Sequence, residues 1–233
     1  MPTSVARPWY GQGVRLCVFD LDHTLVRSPL DLAAMAVDMR GLLETRCGPL
    51  PARPDRYRVG ELIHWCKANA PHVEAPLWAV ALAHERRAVL EASLEPGARQ
   101  AIDGARAAGF ATAVWTNNAR EVTLLALERL GLLAGLDLVV TRDEMRALKP
   151  DPDGWRVIAA HFGDHSDAIV VGDSWVDGVA AMAAGIPFVA YRPNDADLAR
   201  WKVEPVARLR DLTTLPDWLR ERAAATPNNH GAV

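Results

Sequence analysis

From Glu95 to Tyr191 short apolar runs alternate with stretches of helical spacing, and no other feature constrains the fold as strongly. Phe110 to Trp115, Leu136 to Val140, Ala168 to Val171 and Pro187 to Tyr191 read as buried strands. Between them, Pro96 opens a helix that Gly109 ends, and Arg120 to Leu130 is helical. A helix from Asp153 carries Trp155, Ile158 and Ala159, and another aligns Val176, Val179, Ala180 and Ala183 before Gly185. Alternation of this kind implies an α/β fold, a parallel sheet with helices on both faces. Val14 to Phe19 is a further buried strand upstream, preceded by an irregular lead-in over residues 1–13. Leu209 to Trp218 is expected to hold a short turn and a helix against the sheet edge. Residues 224–233 are expected to form a flexible tail.

From about Arg27-Ser28-Pro29 to Leu94 the pattern holds only helices. One begins near Asp31, a suitable N-cap, with Leu32, Met35, Ala36, Met39, Leu42 and Leu43 at helical spacing. Val59, Leu62, Ile63 and Cys66 mark a second, and after Pro71 and Pro76 a third carries Leu77, Val80, Ala81, His84 and Ala88. Residues 28–91 therefore read as an inserted helical unit, with 1–27 and 92–223 as the core that it interrupts.

The first strand ends abruptly in Asp20 and Asp22. In extended chain, residues i and i+2 face the same side, and sites in open α/β sheets lie beyond the carboxyl ends of strands. Two carboxylates there repel unless a cation or a shared proton intervenes. That points to a magnesium site, although both acids can also cap a turn. Later strand ends carry more polar groups. Thr116 and the Asn117 backbone N–H are suited to phosphate oxygens, and Lys149 to neutralising a phosphoryl group or a carboxylate. Asp173 and Asp177 add carboxylates suited to Mg²⁺. Each residue has a structural reading as a cap or a solvated loop side chain; their order along four successive strand ends is what favours a site.

The totals narrow the partners. A net charge of −3 on 233 residues argues against a nucleic-acid or membrane-surface partner. No window reaches the roughly 18 apolar residues of a membrane span. Cys17, Cys47 and Cys66 are expected as reduced, buried thiols in a cytoplasmic protein. The seven histidines show no zinc-type spacing.

Taken together, these motifs resemble the haloacid dehalogenase-like (HAD) superfamily. Asp20-Leu21-Asp22-His23-Thr24 matches its first motif, Thr116 its second, Lys149-Pro150 its third and Gly172-Asp173-Ser174 with Asp177 its fourth. The helical insertion resembles the C1-type cap of the phosphoglycolate phosphatase-like branch, and so does the Pro96-Gly97 stretch leading to Ile102. The resemblance implies a Rossmann-like core and a Mg²⁺-dependent phosphatase acting on a small phosphorylated metabolite. Asp20 would be the nucleophile and Asp22 the general acid/base; an acid at 22 argues for phosphoryl transfer over dehalogenation. Thr116, Asn117 and Lys149 would hold the phosphoryl group. Asp20, the Asp22 carbonyl and Asp173 would bind Mg²⁺, with Asp177 orienting Lys149 or a metal-bound water. A phosphomutase or phosphotransferase, and a silent phosphate-ester-binding protein, are the alternatives. The expected assembly is a monomer or homodimer.

His23 stands where the family often has Gly; it fills space or touches the leaving group. Asn118 carries no diagnostic weight. Arg27, Arg40, His64, Trp65 and His84 are candidate substrate-facing groups of the cap, Trp175 can line the site mouth, and Trp115 is read as core packing.

Overall fold

The protein is seen here as a computed structural model that describes residues 13–163 and 165–225. Six parallel strands form the sheet, in the order β5-β4-β1-β6-β7-β8. They are β1 (Val14–Phe19), β4 (Phe110–Trp115), β5 (Leu138–Val140), β6 (His165–Gly172), β7 (Phe188–Tyr191) and β8 (Ala207–Leu209). Side-chain alternation explains why β1 is apolar at every position but Arg15. Cys17 and Phe19 join one core and Leu16 and Val18 the other, so both faces are dry. The first face is covered by α4 (Ala98–Ala107), α5 (Arg120–Arg129) and α9 (Leu215–Ala225). The second is covered by α6 (Asp153–Phe162), α7 (Trp175–Ala183) and α8 (Asp195–Arg200).

Register sets the site. Phe19 pairs with Val114 on one side and Val171 on the other, and the Asp20 N–H donates to the Val171 carbonyl at 2.8 Å. Asp20 thus leaves the sheet level with the ends of both neighbouring strands.

Between β1 and β4 lie β2 (Val26–Arg27), α1 (Leu32–Cys47), α2 (Val59–Asn69), α3 (Glu74–Glu91) and β3 (Ser93–Leu94). The three helices bury Met39, Leu43, Leu62, Cys66 and Leu77 in a separate apolar cluster. Asp31 caps α1 as its position predicts, accepting from the Ala33 and Ala34 N–H groups at 3.0 and 2.9 Å. α3 starts before Pro76 rather than after it; a first-turn proline gives up no helical hydrogen bond.

Several elements differ from the expectation. β2 and β3, at the two ends of the inserted stretch, pair antiparallel, and neither is read as a strand from the sequence. β6 begins at His165, earlier than Ala168. β8 occupies the sheet edge, and the last helix packs over the first face and against α4, where a Cβ on Gly104 would fall 2.2 Å from Pro216. α8 has no counterpart among the elements read from the sequence. α9 runs to Ala225, so residues 224 and 225 of the expected tail are helical, and 226–233 lie outside the described residues. The lead-in likewise lies outside them, Gly13 excepted. Cys17 and Cys66 are buried but Cys47, at the solvent end of α1, is exposed. Among the described residues, no helix is long and apolar enough to cross a membrane.

Candidate active site

Lys149 stands at the centre of the carboxyl end of the sheet. Its ammonium donates to Asp20 Oδ1 at 2.6 Å, to the Trp115 carbonyl at 2.8 Å and to Asp177 Oδ1 at 2.5 Å. All three N–H donors are used. Only 3 % of the Lys149 side chain is exposed. Burial alone would push its pKa down, but Asp177 and Asp20 push it up further, so the charge persists. The loop that delivers Lys149 is clamped by Asn117, whose side chain donates to the Lys149 carbonyl at 3.0 Å and accepts from its N–H at 2.9 Å.

Asp177 lies on the first turn of α7, and its second oxygen accepts from the Ser174 hydroxyl and N–H at 2.6 and 3.2 Å. Both of its oxygens are therefore engaged. Gly172 allows this approach, because a Cβ there would sit 2.6 Å from the Asp177 Cβ. One carboxylate oxygen from each of Asp20, Asp173 and Asp177 lies within 4.8 Å of the others. Burial and then Asp177 push the Asp20 carboxyl well above the usual carboxylate range, against the pull of Lys149. Burial, then Asp177, push Asp173 up to about 7. One lysine cannot neutralise three clustered carboxylates. An all-oxygen, anionic donor set of this kind fits a hard divalent cation such as Mg²⁺.

The Asp22 carboxylate is not part of that cluster. It is half-buried, and its Oδ2 accepts from the Asn118 side-chain amide at 2.6 Å. Burial raises its pKa, while Asn118, His23 and Ser28 oppose the rise. His23 is exposed with φ 58°, the left-handed region where Gly is easiest and His is tolerated. Thr116 is buried; its Oγ accepts from the Asn118 N–H at 3.2 Å, leaving the hydroxyl proton to donate elsewhere.

The candidate groups of the insertion do not converge. Arg40 pairs with Glu44 along α1, and His64 is exposed. Trp65 packs against the insertion's own apolar cluster, and buried His84 bonds Asp38 at 2.8 Å. Arg27 bonds Glu95. Trp115 is buried in the core, as its setting predicts, and Trp175 stacks on Trp201 at 4.0 Å. The insertion does reach the site loops. The Lys67 ammonium donates to the Arg146 carbonyl at 3.1 Å, and Glu85 on α3 forms a buried ion pair with Arg142. Neither Glu85 nor Arg142 stands out in sequence, nor does Asn118; their partners are far away along the chain.

The sequence model of the haloacid dehalogenase-like hydrolases matches residues 14–185, which span β1 through α7. The chain belongs to this family. It is thus a hydrolytic enzyme. A phosphoglycolate phosphatase of Cereibacter sphaeroides is 33% identical over 184 residues, covering 75% of this chain and 83% of that one. That of Chromobacterium violaceum is 29% identical, covering 85% and 96%. Among solved structures, a HAD-superfamily hydrolase of subfamily IA from Geobacter sulfurreducens aligns with TM-score 0.57 at 24% identity, covering 90% of this chain and 98% of that one. A HAD family hydrolase from Deinococcus radiodurans, crystallised with bound phosphate and sodium, aligns with TM-score 0.60 at 22% identity, covering 93% and 99%. These two likenesses bear on the fold.

Proposed function

We propose that this hydrolase is a Mg²⁺-dependent phosphatase that cleaves a small organic phosphate monoester through an aspartyl phosphate on Asp20. The observation that carries the reading is the buried Lys149 ammonium shared by Asp20 and Asp177 beside the Asp173 carboxylate. An Asp20 oxygen attacks phosphorus in line, forming the acyl phosphate as the bond to the leaving oxygen breaks. Asp22 gives that oxygen its proton, then takes one from the water that attacks phosphorus and frees Asp20. The Thr116 hydroxyl and the Asn117 backbone N–H hold phosphoryl oxygens, and Lys149 offsets charge on Asp20 and the phosphoryl group. Asp177 keeps Lys149 in place. Asp20, Asp173 and the Asp22 carbonyl would hold Mg²⁺, which would supply charge neutralisation at the phosphoryl oxygens.

The division of the chain belongs to the same proposal: residues 1–27 and 92–223 as catalytic core, 28–91 as a cap excluding water from the site. So does a cytoplasmic monomer or homodimer acting on a small metabolite. The names of the relatives make 2-phosphoglycolate the first substrate to try.

The test is phosphate release from 4-nitrophenyl phosphate and 2-phosphoglycolate. Release is expected with Mg²⁺, lost with EDTA and restored by added Mg²⁺. Asp20→Asn is expected to lower turnover by at least about 10³-fold. Near wild-type turnover in that variant, or isomerisation of a hexose phosphate without phosphate release, overturns the reading.

A further inference from the structure

Asn118 follows Thr116 and Asn117, the pair proposed above to hold phosphoryl oxygens. Its side-chain amide crosses from the β4 loop to Asp22, 2.6 Å from Oδ2. The bond survives both protonation states of the acid. A carboxylate Oδ2 accepts from the amide, and so does the carbonyl oxygen of a carboxylic acid. In the protonated acid the proton is thereby kept off Oδ2 and carried by Oδ1.

The segment that carries Asn118 is gripped from the insertion. The Asn118 carbonyl accepts from the Arg142 N–H at 3.1 Å, and the next N–H, of Ala119, donates to Glu85 Oε2 at 3.3 Å. Glu85 pairs with the Arg142 guanidinium, with 5 % and 7 % of the two side chains exposed. Trp78, also on α3, lies 4.8 Å from that guanidinium. A buried pair that loses one partner leaves a charge without compensation, so α3 and this segment are held together.

We propose that Asn118 is the positioning residue for the proton-transferring Asp22, and that Glu85 couples docking of the helical insertion to that position. The inference rests on the acid/base reading of Asp22.

The experiment compares kcat/KM for phenyl phosphate, whose leaving oxygen needs a proton, with 4-nitrophenyl phosphate, whose leaving oxygen needs it less. kcat/KM reports the step in which the leaving group departs, and the ratio of the two substrates cancels any loss of folded protein. Asn118→Ala is expected to lower kcat/KM about tenfold more for phenyl phosphate, in the direction of Asp22→Asn but less far. Glu85→Gln shifts the ratio the same way, and adding it to Asn118→Ala shifts it no further. If Asp22→Asn changes the ratio and Asn118→Ala does not, the positioning role is overturned while the acid/base reading stands. If Asp22→Asn leaves the ratio unchanged, the acid/base reading falls and takes the inference with it. A wild-type ratio in Glu85→Gln overturns the coupling to α3.

Discussion

At the carboxyl end of the sheet the buried side chains are charged and share partners; in the insertion between β2 and β3 the buried side chains are mostly apolar. Asp20, Lys149 and Asp177 satisfy one another at 2.5–2.6 Å with almost no solvent. The insertion's helices cluster around Met39, Leu43, Leu62 and Leu77, while Arg40, His64 and Arg86 stay outside. An apolar cluster tolerates substitution as long as volume is kept. A buried ionic cluster does not, because any one member leaves the others unpaired. Catalytic geometry belongs in the second kind of environment, and a covering element can be made of the first.

Lys149→Met breaks this contrast most severely. Asp20 and Asp177 would then lose the ammonium that they share. Turnover should fall by about 10²–10³-fold. Urea unfolding at neutral pH should show a loss of about 3–5 kcal/mol. Recovered activity in this variant would mean that the cluster is not what the catalysis depends on.

Gly172→Ala tests whether the cluster depends on position as well as charge. No ionic group changes, yet the new Cβ would meet the Asp177 Cβ at 2.6 Å and displace it from Lys149. A loss of about 10–100-fold in kcat is expected, measured with saturating substrate and Mg²⁺.

Glu95 sharpens the comparison from the boundary between the two regions. It follows β3 and accepts from Arg27 at 2.8 Å, Tyr191 at 2.6 Å and Arg192 at 2.9 Å. Burial raises its pKa, but hydrogen bonds from Arg27 and Tyr191 outweigh that and leave it below its ordinary 4.5. A lowered carboxyl pKa stabilises the fold above the unfolded value, and the benefit is lost as pH falls through the folded value. Glu95→Gln should therefore cost about 1–3 kcal/mol at pH 7, discounted for the half-exposed arginines. The gap to wild type in urea midpoints should close as pH drops below 4.5. A gap that widened in acid would remove the carboxylate from this role.

Arg40→Ala and His64→Ala are the smallest expected changes, under about twofold in kcat/KM, since Arg40 pairs with Glu44 along α1 and His64 is exposed. A larger loss from either would place substrate contacts on the outer face of the insertion.

Much of this was legible before folding. β1 and β4 begin and end where their apolar runs do, because both are central strands with two dry faces. β8, with three residues Ala207–Leu209, and the two-residue β2 and β3 carry too little pattern to be read; neighbouring strands select them. The carboxylates, Thr116 and Lys149 stand out because polar residues follow apolar runs. Asn118 does not, since nothing local distinguishes it from any loop asparagine.

The sequence by itself determined the parallel α/β fold, the inserted helices and the strand ends at which acids, hydroxyl and lysine gather. Periodicity and polarity are local and survive without knowledge of contacts. Tertiary structure alone decided that Lys149 bonds Asp20 and Asp177 at once, that Asp22 turns away to Asn118, and that Glu85 reaches the same segment from α3. Those are pairings between residues 28 to 129 positions apart, set by strand register and helix docking rather than by any neighbour in the chain.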